Sequence, residues 1–131
     1  MEIKKYDIVL VNLSQDAFGN EQDNSKQKLR PCVVIQNDDG NKFSPTTIIM
    51  ELSTAMKGLH LPVHEIIYKS ETTGLKKDSI ILGEQMRTID KRRIVAVVGS
   101  IVSDRAKKAV AKVYFSSFGQ DYLEVESLQC V

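Results

Sequence analysis

The feature that most constrains this chain is the short apolar run at residues 32–35, Cys-Val-Val-Ile, which lies between a cation and a polar turn. A run of this length, rich in β-branched residues and bounded by turn formers, is typical of a buried central strand. Arg30 stands just before it, and Pro31 biases Arg30 toward extended geometry. The pattern predicts a guanidinium held at a defined place beside the core, although a surface arginine flanking a strand is the commoner interpretation of this stretch alone.

Further short strands are predicted on both sides of that run. In the segment 46–53, alternation places Ser53 on the same face as Glu51 and opposite to Leu52. The segment 37–41 contains Asp-Gly and is predicted to be a hairpin turn. Frequent turn signals between short strands indicate a mainly β (α+β) domain, either a small barrel or a sandwich. The other predicted strands are residues 6–13, 61–68, 79–85 and 93–98.

One amphipathic helix is predicted near the C-terminus. From Asp104 onward, apolar residues recur at i, i+3, i+4, i+7 and i+8, while basic residues occupy the other face. Ser103 can cap the start of this helix and Gly119 can end it. The 131 residues are enough for one domain with a real core, and we expect a barrel over about 6–100, a helix over about 103–118 and a tail at 119–131.

Charge and cysteine content narrow the class of protein. The formal net charge is +1, but the segment 87–112 holds eight basic residues against two acidic ones. Such a segment can attract polyanions, although a solvated helix face is the commoner cause. The two cysteines do not form a disulfide framework, and Cys32 is expected to be a small buried hydrophobe. No signal peptide or apolar run of roughly 20 residues is visible, so a cytoplasmic protein without a membrane segment is expected.

Several ordered motifs of the sequence match one protein family. The chain resembles the MazF/PemK toxins of bacterial toxin–antitoxin systems. The resemblance extends from residue 6 to about residue 100, whereas the helix and the tail match only in position and pattern. The matching segments are YDIV at 6–9, GNEQ at 19–22, RPCVVIQND at 30–38, GNKFSPT at 40–46, LPVH at 61–64, DSIIL at 78–82 and EQMRTID at 84–90.

The resemblance implies a fold, an activity and partners. The fold would be an SH3-like small β-barrel with a C-terminal α-helix, as in MazF, Kid and CcdB, assembled as a homodimer. The activity would be sequence-specific, metal-independent and cofactor-free cleavage of single-stranded mRNA, which causes growth arrest. The partner would be a cognate antitoxin whose disordered acidic tail folds onto the dimer. One departure is the longer loop at 23–29, which bears on the sequence preference for RNA.

The same resemblance assigns catalytic roles to three residues. Arg30 would stabilise the charge on the phosphoryl oxygens and donate a proton, since its guanidinium presents a planar fork of donors. Ser53 stands where the family has a catalytic threonine, and it keeps the hydroxyl. Glu84 replaces an aspartate of some relatives and is a candidate general base, with a structural partnership to Arg87 as the alternative.

The RNA-binding residues implied by the resemblance lie in three segments. They are Asn20, Glu21, Gln22, Asn37, Gln85 and Arg87. Separately, the run 91–93 is expected to border a groove shared by RNA and the antitoxin.

Two histidines, His60 and His64, flank the fourth predicted strand. They are expected to be structural, because metal-ligand partners at suitable spacing are missing.

Two other functions remain open at this point. The same fold also hosts toxins that act by binding DNA gyrase without cleaving it, and an inactive relative could serve only as a protein-interaction domain. The pair Arg30 and Ser53 argues against a pure binder, because binding alone does not need that pair. The lengthened first loop leaves the inactive relative open.

Overall fold

The structure, a computed structural model, describes residues 2–14, 29–56 and 64–119. Six strands and two helices follow one another along this part of the chain, with a short 3-10 turn at Lys91–Arg93 between the last two strands. The strands are β1 Asp7–Asn12, β2 Leu29–Val34, β3 Thr46–Ser53, β4 His64–Ile67, β5 Ser79–Asp90 and β6 Ile94–Ser100, and the helices are α1 Asp38–Phe43 and α2 Asp104–Phe118.

All six strands belong to one antiparallel sheet with the order β4-β5-β3-β2-β1-β6. The prediction of a mainly β domain with a C-terminal helix is confirmed. Strand β3 has the predicted bounds, and α2 is capped by Ser103, whose hydroxyl accepts from the Ala106 amide, while Gly119 follows its last residue at φ 92°. The fourth strand occupies only part of the predicted segment 61–68, of which 61–63 lie outside the described residues.

The predicted hairpin turn at 37–41 is wrong, because this segment starts a short helix. The Asn37 side chain caps α1 by accepting a hydrogen bond from the Gly40 amide at 2.9 Å. Asp38 and Asp39 lie in the first turn and Lys42 in the last, which suits the helix dipole at both ends. The turn-forming residues therefore act here as a helix start, and the Asp-Gly signal was misleading.

The sheet is covered on both faces by apolar side chains. On one face, Val33 and Met50 pack with the buried residues of α2, including Val110 and Val113. On the other face, Cys32 belongs to a second cluster, together with Val34, Ile49, Ile89 and Ile94. The run 32–35 lacks polar alternation because both of its faces are buried within one chain.

Strand β5 carries a wide bulge in its middle. Its register with β3 pairs Leu82 with Glu51 and Arg87 with Ile49. Between these two pairs β3 advances by two residues, whereas β5 advances by five. The extra residues of the bulge lie within 83–86, and β5 continues beyond the predicted end at residue 85 to Asp90. The bulge is the place where the sheet departs most from regular pairing.

The turn 71–74 packs tightly against the last strand. Gly74 has φ +72°, and a Cβ at this position would lie 2.1 Å from the Val98 carbonyl oxygen. A glycine is therefore required there for both conformation and space.

Within the described residues, no helix is long and apolar enough to span a membrane.

Candidate active site

The candidate site is built on the neighbouring ends of β2 and β3. The two strands pair antiparallel with Cys32 opposite Glu51, and continuing this register by two residues brings Arg30 opposite Ser53. Directly opposite residues of an antiparallel pair share one face of the sheet. On β1, the partner of Arg30 is the buried Val11, which belongs to the second core cluster. The side chains of Arg30 and Ser53 therefore lie on the face that carries Cys32.

A second arginine lies on the same face of the sheet. Arg87 on β5 is paired with Ile49, two residues before Glu51 and four before Ser53 on β3. Both Arg30 and Arg87 are exposed. Among the residues that the structure describes, no ion pair joins either guanidinium to an acidic side chain. Two cations on one face without such partners are suited to bind an anion.

The thiol of Cys32 lies beneath these charged groups. Burial, reinforced by the Glu51 carboxylate, raises its pKa to about 12, while the guanidiniums of Arg87 and Arg30 act in the opposite direction. The thiol donates a hydrogen bond to the Arg30 carbonyl oxygen at 3.5 Å. Cys32 is thus a protonated core residue, as the sequence predicts.

Glu84 lies in the β5 bulge and is held by a histidine. Its two carboxylate oxygens are 2.9 and 2.8 Å from Nε2 of His64, and its side chain is about half exposed, whereas that of His64 is buried. The partner of Glu84 is therefore His64, and the alternative partnership with Arg87 is not formed. His64 is the first residue of β4, whereas the predicted strand began at residue 61, and no sequence signal indicated that the histidine reaches across to the bulge.

The candidate RNA-binding residues are only partly visible. Asn20, Glu21 and Gln22 lie outside the described residues. Gln85, like Arg87, is exposed on β5. Asn37 is exposed, but its side-chain oxygen already accepts from the Gly40 amide as the cap of α1.

The basic run 91–93 is largely engaged in structural contacts. Arg93 donates to the carbonyl oxygens of Asn12 and Ser14 at 3.2 and 2.7 Å, and Lys91 donates to the Asn41 carbonyl oxygen. Arg92 binds the Asp90 carboxylate through two nitrogens. Charge reversal in this run would therefore disturb the ends of β1 and β5 as well as any bound ligand.

A groove separates α2 from the corner between β2 and α1. It encloses about 530 Å³ and is lined by Ile35, Met86 and Tyr114, among others. Phe115 also lines it, and Phe118 follows one turn later; both aromatic side chains are more than half exposed. The C-terminal half of α2 thus exposes apolar surface at these two aromatic side chains. No group of three metal-ligating side chains occurs among the described residues, and His60 lies outside them.

Comparison with known proteins identifies the family. Residues 4–115 match the family described as PemK-like, MazF-like toxin of type II toxin–antitoxin system. The chain is 38% identical over 117 residues to Endoribonuclease MazF of Staphylococcus saprophyticus, covering 89% of this chain and 92% of that protein. It is 42% identical over 94 residues to Endoribonuclease EndoA of Bacillus subtilis, covering 72% and 76%.

Solved structures agree on the fold. An endoribonuclease in complex with its cognate antitoxin from a mycobacterial species matches with a TM-score of 0.65 at 11% identity, over 90% of this chain and 94% of that one. The Mycobacterium tuberculosis toxin MazF-mt6 matches with a TM-score of 0.66 at 15% identity, over 86% and 95%. These likenesses confirm the predicted MazF-like fold, and together with the family match over residues 4–115 they show that the chain belongs to the PemK-like, MazF-like toxins of type II toxin–antitoxin systems.

Proposed function

We propose that this chain is the toxin of a type II toxin–antitoxin pair and acts as a sequence-specific endoribonuclease on single-stranded mRNA. What supports this proposal is that Arg30 and Ser53 lie on one face at the neighbouring ends of β2 and β3, where continuing the register of Cys32 with Glu51 by two residues brings them opposite each other. Two relatives described as endoribonucleases, at 38% and 42% identity, support the activity. Growth arrest by mRNA cleavage in the cytoplasm follows from that activity.

The chemistry uses the ribose 2′-hydroxyl as the nucleophile. Its attack on the adjacent phosphorus leaves a 2′,3′-cyclic phosphate and a 5′-hydroxyl end. Negative charge builds up on the phosphoryl oxygens, and the Arg30 guanidinium meets it with a planar fork of donors. The Ser53 hydroxyl donates to a non-bridging oxygen from the facing strand. The substrate supplies the nucleophile, and the guanidinium supplies the positive charge that stabilises the transition state, so the reaction needs no metal ion.

Glu84 is proposed as a further carboxylate of the site, and its hydrogen bonds to His64 orient it. Gln85 and Arg87 follow in the same strand and are proposed to contact the RNA beyond the scissile phosphate. Asn37 and the segment containing Asn20, Glu21 and Gln22 complete the proposed RNA-binding set. Base selection would depend on which edges these polar groups reach.

The proposed partners are a second copy of the chain and an antitoxin with a disordered acidic tail. The groove beside α2 and the exposed Phe115 and Phe118 offer apolar surface for protein contacts. The arginines of the charged sheet face suit acidic residues of a peptide as well as RNA phosphates. An isologous homodimer would bring two copies of the site across a two-fold axis.

The proposal is tested by incubating the purified full chain with one long single-stranded RNA in excess chelator and sequencing the new 5′ ends. We expect cuts at a common short sequence, 5′-hydroxyl ends, and no cleavage of single-stranded DNA of the same sequence. Activity that disappears with chelator and returns with magnesium would contradict the metal-independent mechanism. RNA that stays intact under all conditions, while the protein binds it, would contradict the proposed endoribonuclease activity.

A further inference from the structure

A carboxylate occupies the centre of the proposed site, although neither the motifs nor the resemblance pointed to it. Glu51 is half-buried on β3, opposite Cys32 of β2 on one side and Leu82 of β5 on the other. Opposite residues share a face, so Glu51 projects on the face that also carries Arg30 and Ser53. It precedes Ser53 by two residues, which is one repeat of the strand.

The neighbouring pairs place this carboxylate between two guanidiniums. Along that face of β3 the order is Ile49, Glu51, Ser53. Arg87 is opposite Ile49, and Arg30 comes opposite Ser53 when the register of Cys32 with Glu51 is continued by two residues. Diagonal neighbours on paired strands lie about 7–8 Å apart, which long side chains can bridge. Each arginine is thus a diagonal neighbour of Glu51, and its long side chain can reach the space above this carboxylate.

The Cys32 thiol lies near the same three charges. Apart from burial, the charges that act on it are the Glu51 carboxylate, which raises its pKa, and the Arg87 and Arg30 guanidiniums, which lower it. Charge interactions weaken with distance, so these three side chains, from three different strands, lie on the same part of the sheet as Cys32.

We propose that Glu51 is the general base of RNA cleavage, the group that takes the proton from the ribose 2′-hydroxyl. This inference rests on the proposed ribonuclease function. The proton passes to a Glu51 oxygen, the bond from the 2′-oxygen to phosphorus forms, and the bond from phosphorus to the 5′-oxygen breaks. The leaving 5′-oxygen takes a proton from water, and the hydroxide that remains is neutralised by the proton that Glu51 releases.

Glu51 is better placed for this step than Glu84. Both oxygens of Glu84 are within 2.9 Å of His64 Nε2, so its carboxylate already has a partner. His64 is opposite Leu82, which separates it from Glu51 in the same row across the sheet. A base must reach the proton that it removes, and Glu51 is the carboxylate adjacent to the Arg30 and Ser53 pair.

The test is Glu51→Gln in the full chain, with cleavage of a short single-stranded RNA containing the strongest mapped site. We expect kcat to fall by on the order of 10²-fold with KM unchanged or lower, since general bases contribute about that much and no cation is removed. The acidic limb of the pH–rate profile, in which the rate rises as the base loses its proton, should disappear. Glu84→Gln should keep this limb even where its rate is lower.

The matched control is Glu65→Gln, the same substitution on the neighbouring strand β4. Glu65 is opposite Ile81, a member of the helix-side cluster, and its carboxylate contacts Lys112 of α2 at 3.4 Å, so it lies on the other face of the sheet. This variant should cleave at the wild-type rate with the wild-type pH profile. If Glu51→Gln does not fold, Glu51→Asp replaces it, and we expect a slower enzyme that keeps the acidic limb.

Several results would overturn the inference. Glu51→Gln cleaving at the wild-type rate, or slowly with an intact acidic limb, would remove Glu51 from the base role while leaving the ribonuclease function in place. Glu51→Asp at the full wild-type rate would do the same. A wild-type chain that cleaves no RNA would contradict the proposed function and the role of Glu51 together, so the two failures are distinguishable.

Discussion

Two polar regions of this sheet differ in how their groups are satisfied. The corner network consists of Gln36, Asn41, Thr46 and Thr47, where β2, α1 and β3 meet. Its Asn41 oxygen accepts from Gln36 and Thr47 at 3.1 and 2.7 Å, its amide donates to the Gln36 carbonyl oxygen, and Gln36 donates to the Thr46 carbonyl oxygen. The network is buried around Asn41, which is 4% exposed and also donates to the Asp38 carboxylate at 3.4 Å.

The charged face consists of Arg30 on β2, Glu51 and Ser53 on β3, and Arg87 on β5. Its two guanidiniums are exposed and form no ion pair with an acidic side chain of the described residues. Buried polar groups that satisfy one another stabilise a fold, whereas charges left open to solvent are available to a ligand. We therefore expect substitutions in the corner network to change stability and those in the charged face to change activity.

The largest expected effect is on the charged face. Arg30→Ala should lower RNA cleavage by on the order of 10²-fold or more, since one oxyanion-type donor contributes about that much. Arg30→Lys should restore little, because a point charge does not reproduce the planar fork, and Ser53→Ala should be milder. The melting temperature should stay at the wild-type value. Full activity in Arg30→Ala would place the site elsewhere.

The corner network should show the opposite behaviour. Asn41→Ala removes the hub of the network and leaves Thr47 and the Gln36 carbonyl without their partner. We expect the free energy of unfolding to fall by about 1–3 kcal/mol, measured by urea denaturation. The exposed Asp39→Ala in α1 serves as the control for a change in the same helix. Activity per folded molecule should be unchanged. A loss of activity at full stability would contradict the assignment of the corner network to stability and of the charged face to activity.

The buried Cys32 thiol beneath the charged face makes the stability of the fold depend on pH. The pKa of Cys32 is raised to about 12 in the fold, compared with about 8.5 in an unfolded chain. The folded state therefore holds the proton, and this contribution is complete below about pH 8.5 and is lost as the pH rises toward 12. By pH 10 we expect a loss of about 1–2 kcal/mol relative to Cys32→Ala, which lacks this thiol.

This pH effect is measured by denaturant unfolding of both proteins at several alkaline pH values. Cys130 is present in both and cancels in the difference. Parallel pH profiles for the two proteins would show that the thiol ionises as easily in the fold as outside it.

The smallest effect is expected at a charged pair outside both regions. Arg92 binds Asp90 through two nitrogens, but the arginine side chain is mostly exposed. Exposed ion pairs contribute little to stability, and this one lowers the pKa of the Asp90 carboxyl through hydrogen bonds from Arg92. Arg92→Ala should leave the melting temperature and the cleavage rate unchanged. A clear loss of RNA affinity in this variant would extend the charged face to the end of β5.

Local pattern determined much of the fold. The alternation in 46–53 predicted β3 with its observed bounds, and the periodicity after Asp104 predicted α2 with its caps at Ser103 and Gly119. These features depend on neighbouring residues, so a single sequence contains them. The motifs also placed Arg30 and Ser53 in one site, because the resemblance to a family carries its spatial arrangement.

Other features depended on contacts between distant segments. Asn37 became a helix cap where the Asp-Gly signal favoured a turn, because the corner network ties α1 to β2 and β3. The bulge in β5 is a register shift, and sequence periodicity does not predict it. The hydrogen bond between His64 and Glu84 joins residues twenty positions apart in the chain.

The grouping of charges shows most clearly what local sequence determines and what long-range packing decides. Parity alone placed Glu51 and Ser53 on one face of β3. Only the pairing of β3 with both β2 and β5 places Arg30 and Arg87 on either side of Glu51. A strand pattern determines which face a side chain occupies, whereas the neighbours on that face are set by strand order and register, which long-range packing decides.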